Sequence, residues 1–317
     1  MTPLDMLLLY LLRALALLLG LFPAALRNGF AIALGRIFYG IDRHHRRIAI
    51  DNLARAFGNE KSARERRCIG RRTFENICRI VFEICWALRL NEHQMATYFT
   101  LSGLDHYRNA AARGKGVILF TGHFGNWELM PIVCHLHRIA VKVVYRPLDT
   151  AFVDQFIKES RSRFGAVPIP ARTGAMGKLY TALRRGHTIG MLVDQNEGWR
   201  KGVYADLFGR RACSNPGIAI LALKSGAPIV PFFLARHGDR FHATMGPPLS
   251  FVPSGDITKD VEAIVQQCNN VLEAYVRRYP DQWFWVHQRW KTPDRCAWPD
   301  PARRARWEAG QRRRGLL

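Results

Sequence analysis

His123 and Glu128 stand with four residues between them in His123-Phe124-Gly125-Asn126-Trp127-Glu128, just after the apolar run Gly116-Val117-Ile118-Leu119-Phe120. The run reads as a buried strand, and Asn126 followed by Trp127-Glu128-Leu129-Met130 reads as the start of a helix. Imidazole and carboxylate would then share a strand-to-helix turn. From it the imidazole can face a cleft while the carboxylate folds back to hold the opposite ring nitrogen. That equipment suits acyl transfer to an alcohol: the histidine takes the hydroxyl proton as the oxygen attacks, and the acid fixes the tautomer and stabilises the imidazolium. Gly125 and Asn126 supply a turn that can bring backbone N–H groups to a developing oxyanion, and the carboxyl end of a strand is where α/β enzymes place their sites. A single His-x4-acid also arises by chance.

The elements needed to position this turn are visible in the periodicity. Residues 45 to 110 read as helical, with Phe74, Ile77, Ile80, Val81, Ile84 and Leu88 at helical spacing. From residue 116 short apolar strands alternate with helices: Val117 to Phe120, Val141 to Tyr145, Thr188 to Val193 and Pro228 to Leu234. Asn215-Pro216 caps and starts a helix to about Ser225, and another helix spans Lys259 to Arg278. The alternation predicts an α/β fold, a mixed sheet flanked by helices.

The 317 residues carry 47 Lys+Arg against 25 Asp+Glu, a net charge of +22 that calls for an anionic partner: nucleic acid, an anionic membrane, a phosphorylated lipid or an acidic carrier protein. The seven cysteines (Cys68, Cys78, Cys85, Cys134, Cys213, Cys268, Cys296) form no CxxC pair, which suits free thiols in a reducing compartment. Met6 to Phe22 is Leu-rich, interrupted at Arg13 and closed by Pro23. Its leucines roughly offset the ~3 kcal/mol cost of one central Arg, so it stands between a membrane-spanning and an interfacial helix. Positive charges follow it at Arg27, Arg36, Arg43, Arg46 and Arg47, which predicts that the rest of the chain stays cytoplasmic. Gly29 to Ile41 reads as an amphipathic surface helix. The expected organisation is an N-terminal membrane segment over 1–28, a catalytic domain over 29–296 (helical 29–110, α/β core 111–296) and a basic tail over 297–317.

The ordered blocks His-Phe-Gly-Asn-Trp-Glu, Tyr145-Arg146-Pro147, Gly186 with Val193-Asp194-Gln195, Pro228-Ile229-Val230-Pro231, and Gln282 through Lys291 resemble those of the bacterial lipid A biosynthesis acyltransferases, within the glycerolipid acyltransferase type. Arg46-Arg47, Asn52-Leu53 and Ala56-Phe57 are similar as well, so the resemblance covers nearly the whole chain. It implies an inner-membrane enzyme, catalytic domain on the cytoplasmic face, that moves a fatty acyl chain from acyl carrier protein to a hydroxyl of a phosphorylated glucosamine lipid. It implies His123 as general base with Glu128 as its partner, and a substrate site including Gly125, Asn126, Arg146, Asp194, Gln195 and Arg289. Related branches acylate other glycolipids or aminolipids with the same pair. The chain departs from the pattern at Gln288, where His-Arg-Arg is usual, and at Gly58, where Pro is common.

No Gly-x-Ser-x-Gly elbow and no cysteine in a nucleophile context is present, so direct transfer without an acyl-enzyme is expected, with no metal or other cofactor. Cys134, His135 and His137 lack the remaining ligands of a zinc site. The Trp283, Trp285 and Trp290 cluster reads as packing or a membrane-interface element. A nucleic-acid-binding protein would account for the charge, but no zinc-finger, RRM or basic-zipper signature accompanies it, and no nucleic-acid partner is expected. A hydrolase using the same histidine is the nearer rival.

Overall fold

Val117–Thr121 (β2) is buried at all five positions, and its alternate side chains serve two different cores. Ile118 and Phe120 face one and Val117 and Leu119 the other, as a strand covered by helices on both sides requires. In the computed structural model, which describes residues 1–171 and 174–293 with 305, 306, 309, 310, 312 and 313, this strand is central to a seven-stranded sheet of order β1-β9-β8-β2-β5-β3-β4. The other strands are β1 (Phe99–Ser102), β3 (Val141–Tyr145), β4 (Val167–Pro170), β5 (Thr188–Leu192), β8 (Ile229–His237) and β9 (Arg240–Met245). Strands β8, β2, β5, β3 and β4 are mutually parallel, β9 runs antiparallel to β8, and β1 is parallel to β9. The sheet is therefore mixed, as expected.

One face is covered by α3 (Arg43–Phe57), α9 (Ala175–Arg184), α10 (Gly217–Ser225) and α11 (Ile257–Arg278). The other carries α4 (Ala63–Ala87), α5 (Glu92–Tyr98), α6 (Leu104–Ala111), α7 (Met130–Leu136) and α8 (Ala151–Arg163). A separate hairpin, β6 (Val203–Leu207) and β7 (Arg210–Ser214), turns through Phe208 and Gly209, both at positive φ (54° and 66°). That is the type I′ geometry, which normally selects Asn-Gly. Phe208 is held there by ring contacts with Phe57, Trp283 and Trp285.

Of the two alternatives for the amino terminus, the structure gives no support to the spanning one. Among the described residues no helix is long and apolar enough to cross a membrane. Helix α1 (Pro3–Leu19) has 17 residues, about 25 Å of rise against a hydrocarbon core of ~30 Å. It is docked on the domain instead: Leu9 and Ala16 are buried, and Arg13 makes a two-pronged pair with Glu159 of α8 at 2.6 and 3.0 Å. The Arg that would burden a spanning helix thus anchors α1 to α8. Helix α2 (Ala24–Ile41) begins five residues before the expected start and crosses α4 closely at Gly35, where a Cβ would lie 2.5 Å from Glu75 Cα. Most of the basic tail, 297–317, lies outside the described residues.

Candidate active site

Strands β2 and β5 are adjacent and parallel, with Thr121 opposite Leu192. Two residues past each of these positions come His123 and Asp194, so the register itself delivers the imidazole and the carboxylate to one point at the carboxyl edge of the sheet. His123 Nδ1 is 2.8 Å from Asp194 Oδ1. The other carboxylate oxygen, Oδ2, accepts the His123 backbone N–H and the Trp283 indole N–H, both at 2.7 Å. Asp194 is buried. Burial alone would raise its pKa, but the attraction of the His123 imidazole, its hydrogen bond and the two further donors win and hold it at about 2. An ionised acceptor requires the proton on Nδ1, which leaves the Nε2 lone pair as the basic site.

Nε2 faces an exposed side chain. The His123 side chain keeps 19% of its surface exposed, and the amide nitrogen of the exposed Gln195 lies 3.5 Å from Nε2. The ring is walled by Trp127 edge-on, at 4.9 Å between centroids, and by Phe284 at 5.9 Å.

Glu128 does not hold the histidine. Gly125, at φ 58°, reverses the chain between the two residues, and the 3₁₀ turn Trp127–Leu129 carries Glu128 to the far side, toward α8. There its oxygens receive Arg161 Nε and Nη2 at 2.7 and 2.6 Å, and Trp127 Nε1 at 3.0 Å. The partner of His123 is Asp194, which the sequence placed only as a pocket residue. Glu128 and Arg161 lie on the wall of a narrow apolar cavity of about 50 Å³ between the sheet and α7, whose lining includes Leu119, Val143, Gly190 and Phe232. Cys134 also lines it, but burial pushes its thiol up to about 12, too high for a nucleophile.

The remaining expected residues divide. Arg146 is exposed one residue beyond β3, at the same edge of the sheet as His123. Gly125 and Asn126 are buried and face away from the cleft. The Gly125 N–H donates to Gln282 O at 2.8 Å, so it is not a spare oxyanion donor. A Cβ there would sit 1.9 Å from Leu234 O, which accounts for the glycine by close approach. Asn126, 0% exposed, donates to Glu83 and Ile80 O instead of lining the substrate site. Arg289 is likewise buried: Nη1 donates to Cys213 O and Nη2 to Ser214 Oγ while Nε has no hydrogen-bond partner, and burial lowers its pKa to about 10. It joins the carboxy-terminal block to β7 and does not face the cleft. His287 is another inward group: its Nε2 accepts the Asn196 backbone N–H at 2.8 Å, and burial lowers its pKa. Among the described residues no three metal-ligating side chains are gathered.

Trp283 and Arg161 were missed as site residues. Trp283 lies inside the carboxy-terminal block, whose tryptophans read as packing or a membrane-interface element, and it is buried. The antiparallel bridge between Phe124 and Trp283, a long-range pairing, brings the Trp283 N–H beside Asp194 and reveals the second use.

Residues 2–292 match the family model described as bacterial lipid A biosynthesis acyltransferase. The chain is 27% identical to the lipid A biosynthesis lauroyltransferase of Escherichia coli K12 over 86% of each chain. It is 26% identical to a lipid A biosynthesis acyltransferase of Haemophilus influenzae over 87% of this chain and 85% of that one. It is also 27% identical to a phosphatidylinositol mannoside acyltransferase of Mycolicibacterium smegmatis over 59% of this chain and 60% of the relative.

Proposed function

We propose that this chain, which belongs to the bacterial lipid A biosynthesis acyltransferase family, esterifies a hydroxyl of a lipid A precursor with the acyl group of an acyl carrier protein thioester. The observation that carries the reading is the partly exposed His123–Asp194 pair, whose Nε2 faces the exposed Gln195 amide, with the adjacent Trp127 lining an apolar cavity. Nε2 takes the proton of the acceptor hydroxyl as its oxygen attacks the thioester carbonyl. The C–S bond breaks, the thiolate leaves, and the imidazolium returns the proton to it, so donor and acceptor exchange one acyl group for one proton. Asp194 stabilises the transient imidazolium. The Gln195 amide, close to Nε2, is placed to donate to the tetrahedral oxyanion. No covalent enzyme intermediate is required.

The apolar cavity, at about 50 Å³, admits only the first carbons of an acyl tail and marks where the chain enters, and the Glu128–Arg161 pair on its wall orders that entrance. Glu128 thus serves the reaction at the acyl chain and not at the imidazole. Arg146 is exposed near the acceptor side and can hold a lipid phosphate by a bidentate contact. Helices α1 and α2 expose Leu4, Leu7, Leu11, Leu15, Leu18, Phe30, Ile37 and Phe38, with Arg36, Arg43 and Arg47 exposed nearby in sequence. Apolar side chains with such cations suit an in-plane seat in an anionic leaflet, which would bring a lipid acceptor to the site. A mannolipid hydroxyl is the second acceptor class, suggested by the relative from Mycolicibacterium smegmatis. The test is to incubate purified protein with a series of acyl carrier protein thioesters and either phosphorylated glucosamine lipid or phosphatidylinositol mannoside, and to weigh the products. An acylated glucosamine lipid supports the reading; free fatty acid alone would make the protein a hydrolase.

A further inference from the structure

Behind the reactive turn lies a charged cluster that touches no part of the cleft. Glu83 of α4 and Arg236 of β8 form a two-pronged ion pair, Nη2 to Oε2 at 2.7 Å and Nε to Oε1, with 3% and 7% exposure. Arg236 Nη1 also donates to Asn76. A buried ion pair is weak evidence for stability, because desolvation consumes most of its attraction and apolar residues of like volume often do as well. This pair has another connection. Asn126 Nδ2 donates to Glu83 Oε2 at 2.9 Å and to Ile80 O at 3.3 Å.

Asn126 occupies the N-cap position of the Trp127–Leu129 turn, where an Asn side chain would ordinarily accept from the turn's own N–H groups; here it makes no such cap. Its amide reaches α4 instead. The same Arg236 is gripped through its backbone: Gln282 accepts its N–H and donates to its carbonyl, both at 2.9 Å, while the Gln282 carbonyl receives the Gly125 N–H at 2.8 Å. Phe284 N–H donates to His123 O at 3.0 Å. Glu83, Arg236 and Gln282 therefore hold the reactive turn from behind, at Asn126 and Gly125.

We propose that Glu83 and Arg236 are positioning residues: through Asn126 their buried pair fixes the turn that carries His123 into register with Asp194. The inference rests on the acyl-transfer reading for its kinetic consequence but not for its structural one. The decisive variants are Asn126→Leu, which removes the tether and leaves the ion pair whole, and Glu83→Met/Arg236→Met, which removes both charges so that neither is left unpaired. Each is expected to unfold cooperatively near the wild-type temperature. Each should lower kcat about 10- to 100-fold, the scale of a misplacement near 1 Å, with KM for the thioester nearly unchanged. Backbone amides of residues 123–129 should exchange with deuterium more than about tenfold faster while those of α11 stay as in wild type.

Wild-type kcat and exchange in a folded Asn126→Leu protein would overturn the proposal. So would a loss of kcat accompanied by faster exchange throughout the chain, which would make the cluster merely structural. The exchange measurement needs no substrate, so it judges the tether even if wild-type protein fails to make the ester. That failure would count against the acyl-transfer reading alone.

Discussion

Replacing Asp194 by Asn changes one atom and should disable the histidine by turning its tautomer over. Asp194 Oδ2 accepts two N–H donors at 2.7 Å, from the His123 backbone and Trp283. An asparagine must place its carbonyl oxygen there, because its NH₂ group would oppose both donors. The NH₂ then faces His123 Nδ1, 2.8 Å away in the native pair. A donor opposite Nδ1 forces the ring proton to Nε2, and the lone pair that should take the hydroxyl proton is gone. The lost imidazolium stabilisation acts in the same direction, so kcat should fall by about 10³ to 10⁴, or ~4 to 5.5 kcal/mol of barrier. The assay is ester formation from a thioester and a glucosamine lipid at fixed pH, paired with ¹⁵N NMR of labelled histidine. Wild type should show a protonated Nδ1 and Asp194→Asn a protonated Nε2. Because Asp194 sits at about 2, no loss of its charge enters the working pH range in wild type. Turnover within about threefold of wild type, or an unchanged tautomer, would refute this reasoning.

Glu128→Gln should reduce kcat/KM about 10- to 100-fold by loosening Arg161 at the cavity wall, yet leave the His123 tautomer as in wild type; a tautomer switch in this variant would return Glu128 to the role expected from sequence. Gly190 lines the apolar cavity, and a Cβ there meets Val141 at an ordinary 3.5 Å, so Gly190→Val should fold and shift product chain length downward in a competition between thioesters; an unchanged distribution would place the acyl tail elsewhere. The protein should stay on anionic vesicles in high salt, whereas Leu7→Asp/Leu11→Asp/Leu18→Asp should wash off, as salt screens charge but not apolar insertion. Equal release of both would remove α1 from the membrane contact.

The sheet and the reactive edge were legible because they follow local rules. The apolar runs at 117–120, 141–145, 188–193 and 228–234 fall within or largely over β2, β3, β5 and β8, and Asn215-Pro216 does open α10. Strand β1 hid inside a stretch of helical periodicity, since Phe99–Ser102 is an edge strand whose pairing with β9 is long-range. The β6–β7 hairpin escaped because its turn uses Phe208 where the local code calls for Asn, a choice sustained only by aromatic packing from distant residues. The His123–Glu128 pairing failed for a related reason. Spacing along the chain says nothing of a reversal at Gly125, and the true partner is 71 residues away, delivered by strand register. A spanning helix and a docked interfacial helix share one composition; the Arg13–Glu159 bond that ties α1 to α8 is a tertiary fact.

The central claim is that His123 Nε2 removes the acceptor proton. It is tested most directly by single-turnover ester formation in His123→Ala, with thioester binding measured in parallel. The account predicts a rate lower by about 10² to 10⁴ with binding within about threefold of wild type. Ester formation in His123→Ala at the wild-type rate would contradict it.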